Sequence, residues 1–265
     1  MRQKRLLNYF VLLAFFATCA CGDSCVFSKR YPDYRYRLTV EVETPEGLKT
    51  GSSVIEVNTA VSGKYSIVGP NKVNMKIRGE AVSVNLGYRG TLFALLRSEY
   101  SEDWAQYALF SAHEPVKPPI LTFGNQREPT FEGQMKSTLR RQGNYYVEQY
   151  PNNVSTRPEF RNEGGRKTSN YPYMVRFRNI TDPASMEAVD PNNLIKSFGE
   201  GVALRRITVE RTEDAVTSSI QSKLPWLNRL AEERSPLIPD PHRSKEDTTL
   251  IRRIGSSSFS TELNN

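Results

Sequence analysis

Cysteine is scarce in this chain of 265 residues: three in all, at positions 19, 21 and 25. So few, crowded at one end, do not make a disulfide scaffold. Histidine is scarcer still, with only His113 and His242. They lack the His-x-x-x-His spacing of a zinc site, and no metal or other cofactor is expected. No apolar run reaches the roughly 18 to 20 residues of a comfortable membrane span. A Gly-x-Ser-x-Gly elbow, a Walker loop and a dinucleotide fingerprint are missing as well. Charge is not strongly of one sign: 36 basic against 29 acidic residues leave a net of +7. What is present is 38% hydrophobic and 10% aromatic, the composition of a folded domain rather than a disordered chain. The length allows one domain or two small ones.

The first residues have their own pattern. Arg2, Lys4 and Arg5 precede an apolar stretch from Leu6 to Ala17, and small residues follow. These are the three parts of a secretory signal peptide, expected to span 1–20. Thr18-Cys19-Ala20-Cys21 resembles a bacterial lipobox, with Cys21 as the lipidated residue. Thr18 stands where that pattern usually has Leu, and Cys19 is a poorer second candidate. Ordinary cleavage after Ala20 competes with this reading and would leave Cys21 and Cys25 free to pair. An uncleaved single-pass anchor is a further alternative. Loss of 1–20 removes three basic residues and no acid, leaving a net of +4. That excess implies no nucleic-acid partner.

Beyond a linker at 21–32 the hydrophobic patterning is mainly that of strands. Tyr34 to Glu43 alternates apolar and polar without a break, which predicts one buried and one wet face. Thr44-Pro-Glu-Gly47 reads as a turn, and Ser52 to Ala60 returns as the second arm of a hairpin. More strand is expected within 71–86, 171–178 and 202–210, with a bulge where alternation slips at Arg205-Arg206, and the apolar run 91–96 reads as a strand buried on both faces, with a helix as the alternative. Helices are expected after Ser101, between Asp190 and Gly199, and after Thr212, each with a capping residue at its start. Six prolines break up residues 114–170, read as a long, poorly regular insertion whose only strand-like islands are Ile120–Phe123 and Tyr145–Val147. The chain from 228 to 265 reads as a polar, disordered tail. The expected architecture is a single domain over 33–227 of α+β class: mainly antiparallel β-sheet with two or three short packed helices. A β-sandwich is the alternative.

Tyr34 to Gly47, Gly51 to Val57, Val189 to Leu194, Ser197-Phe-Gly199, Arg205 to Val209 and Leu224 to Leu227 carry a resemblance. Together they resemble a set of uncharacterised exported, lipoprotein-like proteins of proteobacteria. The resemblance implies a single exported domain split by a variable insertion, and no activity or site residue.

Candidate chemistry is sparse. Lys49-Thr50-Gly51 matches one box of the serine penicillin-binding enzymes, but their Ser-x-x-Lys and Ser-Asp-Asn boxes are missing. A hairpin strand explains it better. Glu102 and Asp103, beside Trp104, are the acids best placed for a carboxylate-based hydrolase, although a helix start accounts for both. No catalytic residue is therefore assigned. Residues 134–178 hold nine basic and three acidic residues among aromatics. A solvated loop explains them, and anionic lipid or glycan is the partner they would suit. The functional expectation is a non-enzymatic binding or assembly module of the bacterial envelope. It would be tethered to the membrane through Cys21, facing the periplasm or cell surface. A soluble periplasmic hydrolase is the alternative.

Overall fold

A computed structural model of the protein describes residues 28–63, 65–67, 69, 71–99, 101–112, 131–147, 171–233 and 254–263. Among these, ten strands follow in order: β1 (Lys29–Arg30), β2 (Tyr34–Glu43), β3 (Lys49–Val61), β4 (Val73–Arg78), β5 (Val82–Asn85), β6 (Thr91–Ala94), β7 (Asn144–Tyr146), β8 (Met174–Phe177), β9 (Met186–Val189) and β10 (Ala203–Thr212). Five short helices accompany them: α1 (Trp104–Ser111), α2 (Phe131–Arg140), α3 (Ile195–Phe198), α4 (Ile220–Lys223) and α5 (Leu227–Glu232). The class is α+β. The chain forms two compact units, and 58–76 groups with 28–32 rather than with the one domain expected over 33–227.

The larger unit is organised by β2. Its alternation puts Tyr34, Tyr36, Leu38, Val40 and Val42 inside and Arg35, Arg37, Thr39 and Glu41 toward water. The turn after it closes by paired backbone bonds, Gly47 N to Thr44 O at 2.9 Å and Thr44 N to Gly47 O at 3.2 Å. Gly47 has φ +105° there, a conformation that suits glycine. β3 then runs antiparallel to β2, from Lys49 opposite Val42 to Val57 opposite Tyr34. β10 covers the other edge of β2, antiparallel, with its register shifted between Leu204 and Arg206. The expected bulge lies there. β7 continues the sheet beyond β10.

A second antiparallel sheet has the order β5-β6-β8-β9. The backbones of β3 and β5 touch: a Cβ on Gly51 would lie 2.2 Å from the Ser83 carbonyl oxygen. Glycine at 51 is thus a packing requirement, which accounts for Lys49-Thr50-Gly51 without chemistry. Phe93, Phe177, Trp226 and Phe259 meet edge-on in the core, with centroids 5.6 Å apart for Phe93–Phe177 and 5.8 Å for Trp226–Phe259. The indole N–H of Trp226 donates to the Ile180 carbonyl at 2.9 Å, so no polar atom is stranded.

Several expectations need correction. The insertion is more regular than expected over 131–147: β7 falls on the strand-like island at 145–147, and α2 precedes it where no helix is expected. Two guanidiniums fasten that stretch. Arg141 donates to the Leu109 and Ala112 carbonyls at the end of α1, and Arg211 donates to Leu139 in α2. The tail is not polar and disordered throughout either. α5 lies in it, and Phe259 is fully buried, with Ala81 N donating to its carbonyl at 2.7 Å.

Thr212 does not start a helix. β10 runs through it because its partner Arg35 is still in β2, and the Thr212 hydroxyl accepts only from Asp214 N, a local turn. The next helix, α4, begins at Ile220, where the buried Glu80 carboxylate accepts from Ile220 N at 2.8 Å and from the Ser219 hydroxyl. Ser101 does not cap α1, which starts after Asp103. Asp190 turns the chain through Asn192 N instead of capping α3.

Candidate functional site

The ends of several elements converge in the larger unit. They are the β2–β3 turn, the Gly87–Arg89 3₁₀ turn between β5 and β6, the β8–β9 connection, and α3 just before β10. Antiparallel pairing forces the meeting: Asn85 opposes Thr91 and Phe177 opposes Met186, so three chain reversals fall at one end. A cavity of about 410 Å³ opens there, floored by Phe93 and Phe177 and walled by Gly90, Thr91, Asn179 and Ile180.

Charged groups tie these reversals together. The Tyr88 hydroxyl donates to Glu46 Oε1 at 2.9 Å, and Arg89 donates to both carboxylate oxygens at 3.1 and 3.2 Å. A further Arg89 N–H reaches the Phe198 carbonyl at 2.8 Å. The Arg89 hydrogen bonds, helped by that of Tyr88, hold the Glu46 carboxyl at about 2, well below the usual range. The same bond to Glu46 pushes the Tyr88 phenol up. On the other side Glu187 receives Arg176 at 2.7 Å and Arg178 at 3.1 Å, and Arg176 also donates to the Ser197 carbonyl. Two guanidiniums thus satisfy carbonyls at the end of α3, a helix too short to hold itself.

Around this polar bracing stand Leu48, Tyr88, Ile180 and Ile195, all exposed, Tyr88 to 81%. Among the described residues they are the only large exposed hydrophobics of the larger unit. Ile180 lines the cavity, and single exposed apolar residues are ordinary, whereas several on turns braced to one another suit contact with another apolar surface. The Arg–Glu pairs supply the polar rim that such a contact has.

The residues singled out from the sequence lie elsewhere. Cys19, Cys21, Cys25, His113 and His242 fall outside the described residues. Glu102 accepts from Arg97 at 3.5 Å, and Asp103 accepts from the Gln106 amide at 2.9 Å. Each acid has its own local partner. A cavity of only about 110 Å³ adjoins Glu102, between Arg97 and Ser258.

The described part of the basic 134–178 stretch is largely used internally. Arg176 and Arg178 hold Glu187, Lys136 pairs with Glu132, and Arg141 caps α1 while lying 4.8 Å over the Tyr145 ring. Tyr145 and Phe177 are buried and present no face for stacking. Arg157, Arg161, Arg166 and Lys167 lie outside the described residues. Sequence reading passed over Leu48, Tyr88, Ile180 and Ile195, since each is one apolar residue in its own loop or short helix. No family model, no curated protein and no solved structure matches this chain.

Proposed function

We propose that the protein is an exported, lipid-anchored module of the bacterial envelope that acts by binding rather than by catalysis. Cys21 carries the anchor, and the body faces the periplasm or the cell surface. One observation supports the binding role above the others: Leu48, Tyr88, Ile180 and Ile195, exposed and from four separate parts of the chain, all belong to the turns and the short helix braced by Glu46–Arg89 and Arg176–Glu187, where Ile180 lines the cavity. A signal-like N-terminus with Cys21 after small residues supports the anchor.

The test is made in the native host. Tyr88 or Ile195 is replaced by a photo-reactive aromatic residue, with exposed Lys136 of α2 as the control position. Discrete adducts are expected at 88 and 195 and none at 136. Monomer alone at every position would remove the binding role. Intact mass of the same membrane-extracted protein checks the anchor. It should begin at Cys21 and carry acyl mass, and any other start, or no added mass, overturns the anchor.

A further inference from the structure

The described part of the smaller unit has a charge composition unlike that of the larger unit; the one acid of the smaller unit, Asp23, lies outside the described residues. Across 28–32 and 58–76 there are five basic residues, Lys29, Arg30, Lys64, Lys72 and Lys76, and no Asp or Glu at all. Lys29, Arg30, Lys72 and Lys76 are exposed. β1 pairs with the end of β3, Lys29 opposite Val61 and Arg30 opposite Ala60. Beyond β3 the chain makes a loop that is closed at its neck by Ser62. Ser62 N donates to the Lys72 carbonyl at 2.9 Å, and the Ser62 hydroxyl accepts from Lys72 N at 2.8 Å. Two turns follow inside the loop, Ser66 N to Gly63 O and Gly69 N to Ser66 O, each at 3.1 Å. This framework holds Tyr65 at 65% exposure and Ile67 fully exposed. They are the only large exposed hydrophobics of this unit among the described residues.

We infer that the smaller unit is a second membrane contact, in which Lys29, Arg30 and Lys72 meet anionic headgroups while Tyr65 and Ile67 enter the interfacial layer. The inference rests on Cys21 being the lipid anchor. Lys29 follows Cys21 by eight residues, so even a fully extended chain keeps β1 within about 29 Å of the acylated residue. A tether that short holds the unit near the bilayer whatever the larger unit does. The occupant is a lipid surface because the two features act together. Cations draw the loop to a negative surface, and an aromatic ring beside an aliphatic chain is the pair that settles at the headgroup boundary.

Vesicle sedimentation of the Cys21→Ser protein, whole from residue 21 onward, tests the surface without the anchor. The probes are vesicles of phosphatidylglycerol mixed into phosphatidylcholine, against phosphatidylcholine alone. Binding is expected only to the mixed vesicles and should fade at about 1 M salt. Each of Lys29→Gln, Arg30→Gln and Lys72→Gln should weaken it about five-fold. Tyr65→Ser with Ile67→Ser should weaken it by roughly ten-fold, with the melting temperature unchanged. Equal binding to both vesicles, or no loss in either set of variants, overturns the inference. Acyl mass at Cys21, measured on protein from the native membrane, reports on the anchor separately. An anchored protein whose unacylated form ignores anionic vesicles would refute the second contact alone.

Discussion

The two units treat charge in opposite ways. In the larger one, acids and arginines alternate across neighbouring strands and answer each other. Glu56 receives Arg35 at 2.9 Å and Arg78 at 3.4 Å, Arg78 continues to Glu262 at 3.1 Å, and the Glu41 carboxylate lies 2.8 Å from the Arg206 guanidinium as an ion pair. In the described part of the smaller unit every charge is positive, although Asp23 precedes it in the sequence. A surface whose charges are satisfied within the chain gains little from an outside counter-charge. A surface of one sign repels itself until something negative arrives. The difference separates side chains that hold the larger unit together from an exposed surface of one sign. It also warns against ranking surfaces by a count of basic residues. The 134–178 stretch holds more cations than the small unit, yet those described there are mostly paired or capping helices.

The comparison can be broken most severely in the core. If the larger unit is built for cohesion, its stability rests on apolar burial, because the desolvation of part-buried acids such as Glu56 and Glu41 offsets much of the attraction in their ion pairs. Phe259 packs edge-on to Phe93 and Trp226 with no exposure. Phe259→Ala should therefore cost about 3–5 kcal/mol in urea unfolding. Ile67→Ser, on the exposed loop of the smaller unit, should change stability by no more than about 0.5 kcal/mol. Similar losses from the two substitutions would dissolve the distinction between cohesive and contact surfaces.

A smaller loss is expected where the two sheets of the larger unit touch. A methyl group at position 51 meets the Ser83 carbonyl oxygen at 2.2 Å, and a backbone oxygen cannot swing away as a side chain would. Gly51→Ala should cost about 1–3 kcal/mol. Lys49→Ala, two residues earlier in the same strand, should be nearly neutral. A harmless Gly51→Ala would mean that β3 and β5 can separate without penalty.

These examples show which parts of the fold are legible in the sequence. Alternation carries β2 completely, because a two-residue period fixes the buried face and the register follows from it. The turn at Thr44–Gly47 and the bulge at Arg205-Arg206 are local backbone events with local signatures. Caps were less dependable. Thr212 and Asp190 bond N–H groups two residues on, as they would at a helix start, but a strand partner or a four-residue helix decides the outcome. Phe259 escaped notice because one aromatic in a polar stretch has no period, and its burial depends on Phe93 and Trp226, far away in sequence. The candidate site was hidden for the same reason. Leu48, Tyr88, Ile180 and Ile195 are isolated apolar residues until antiparallel pairing brings their turns to one end.

The smallest expected effect is a pH dependence at that end, and it sharpens the contrast because it needs an internal ion pair. The Glu46 carboxyl is held at about 2 against an ordinary 4.5, chiefly by hydrogen bonds from Arg89 and then from Tyr88. A lowered value in the folded state means that the carboxylate favours folding at any pH above about 4.5. That contribution fades as pH falls from about 4.5 toward 2, where Glu46 takes up a proton and Arg89 loses its partner. The carboxyl-carbon shift of Glu46 in NMR should titrate with a midpoint near 2 and move upward in about 1 M salt, since the group is exposed and the attraction is screened. Glu46→Gln should flatten the melting temperature across that window and lower it by a constant amount at higher pH, where the pair is fully formed. A midpoint in the ordinary carboxylate range would show that Arg89 and Tyr88 do not brace the turn in solution. The apolar rim at this end would then lack its polar frame.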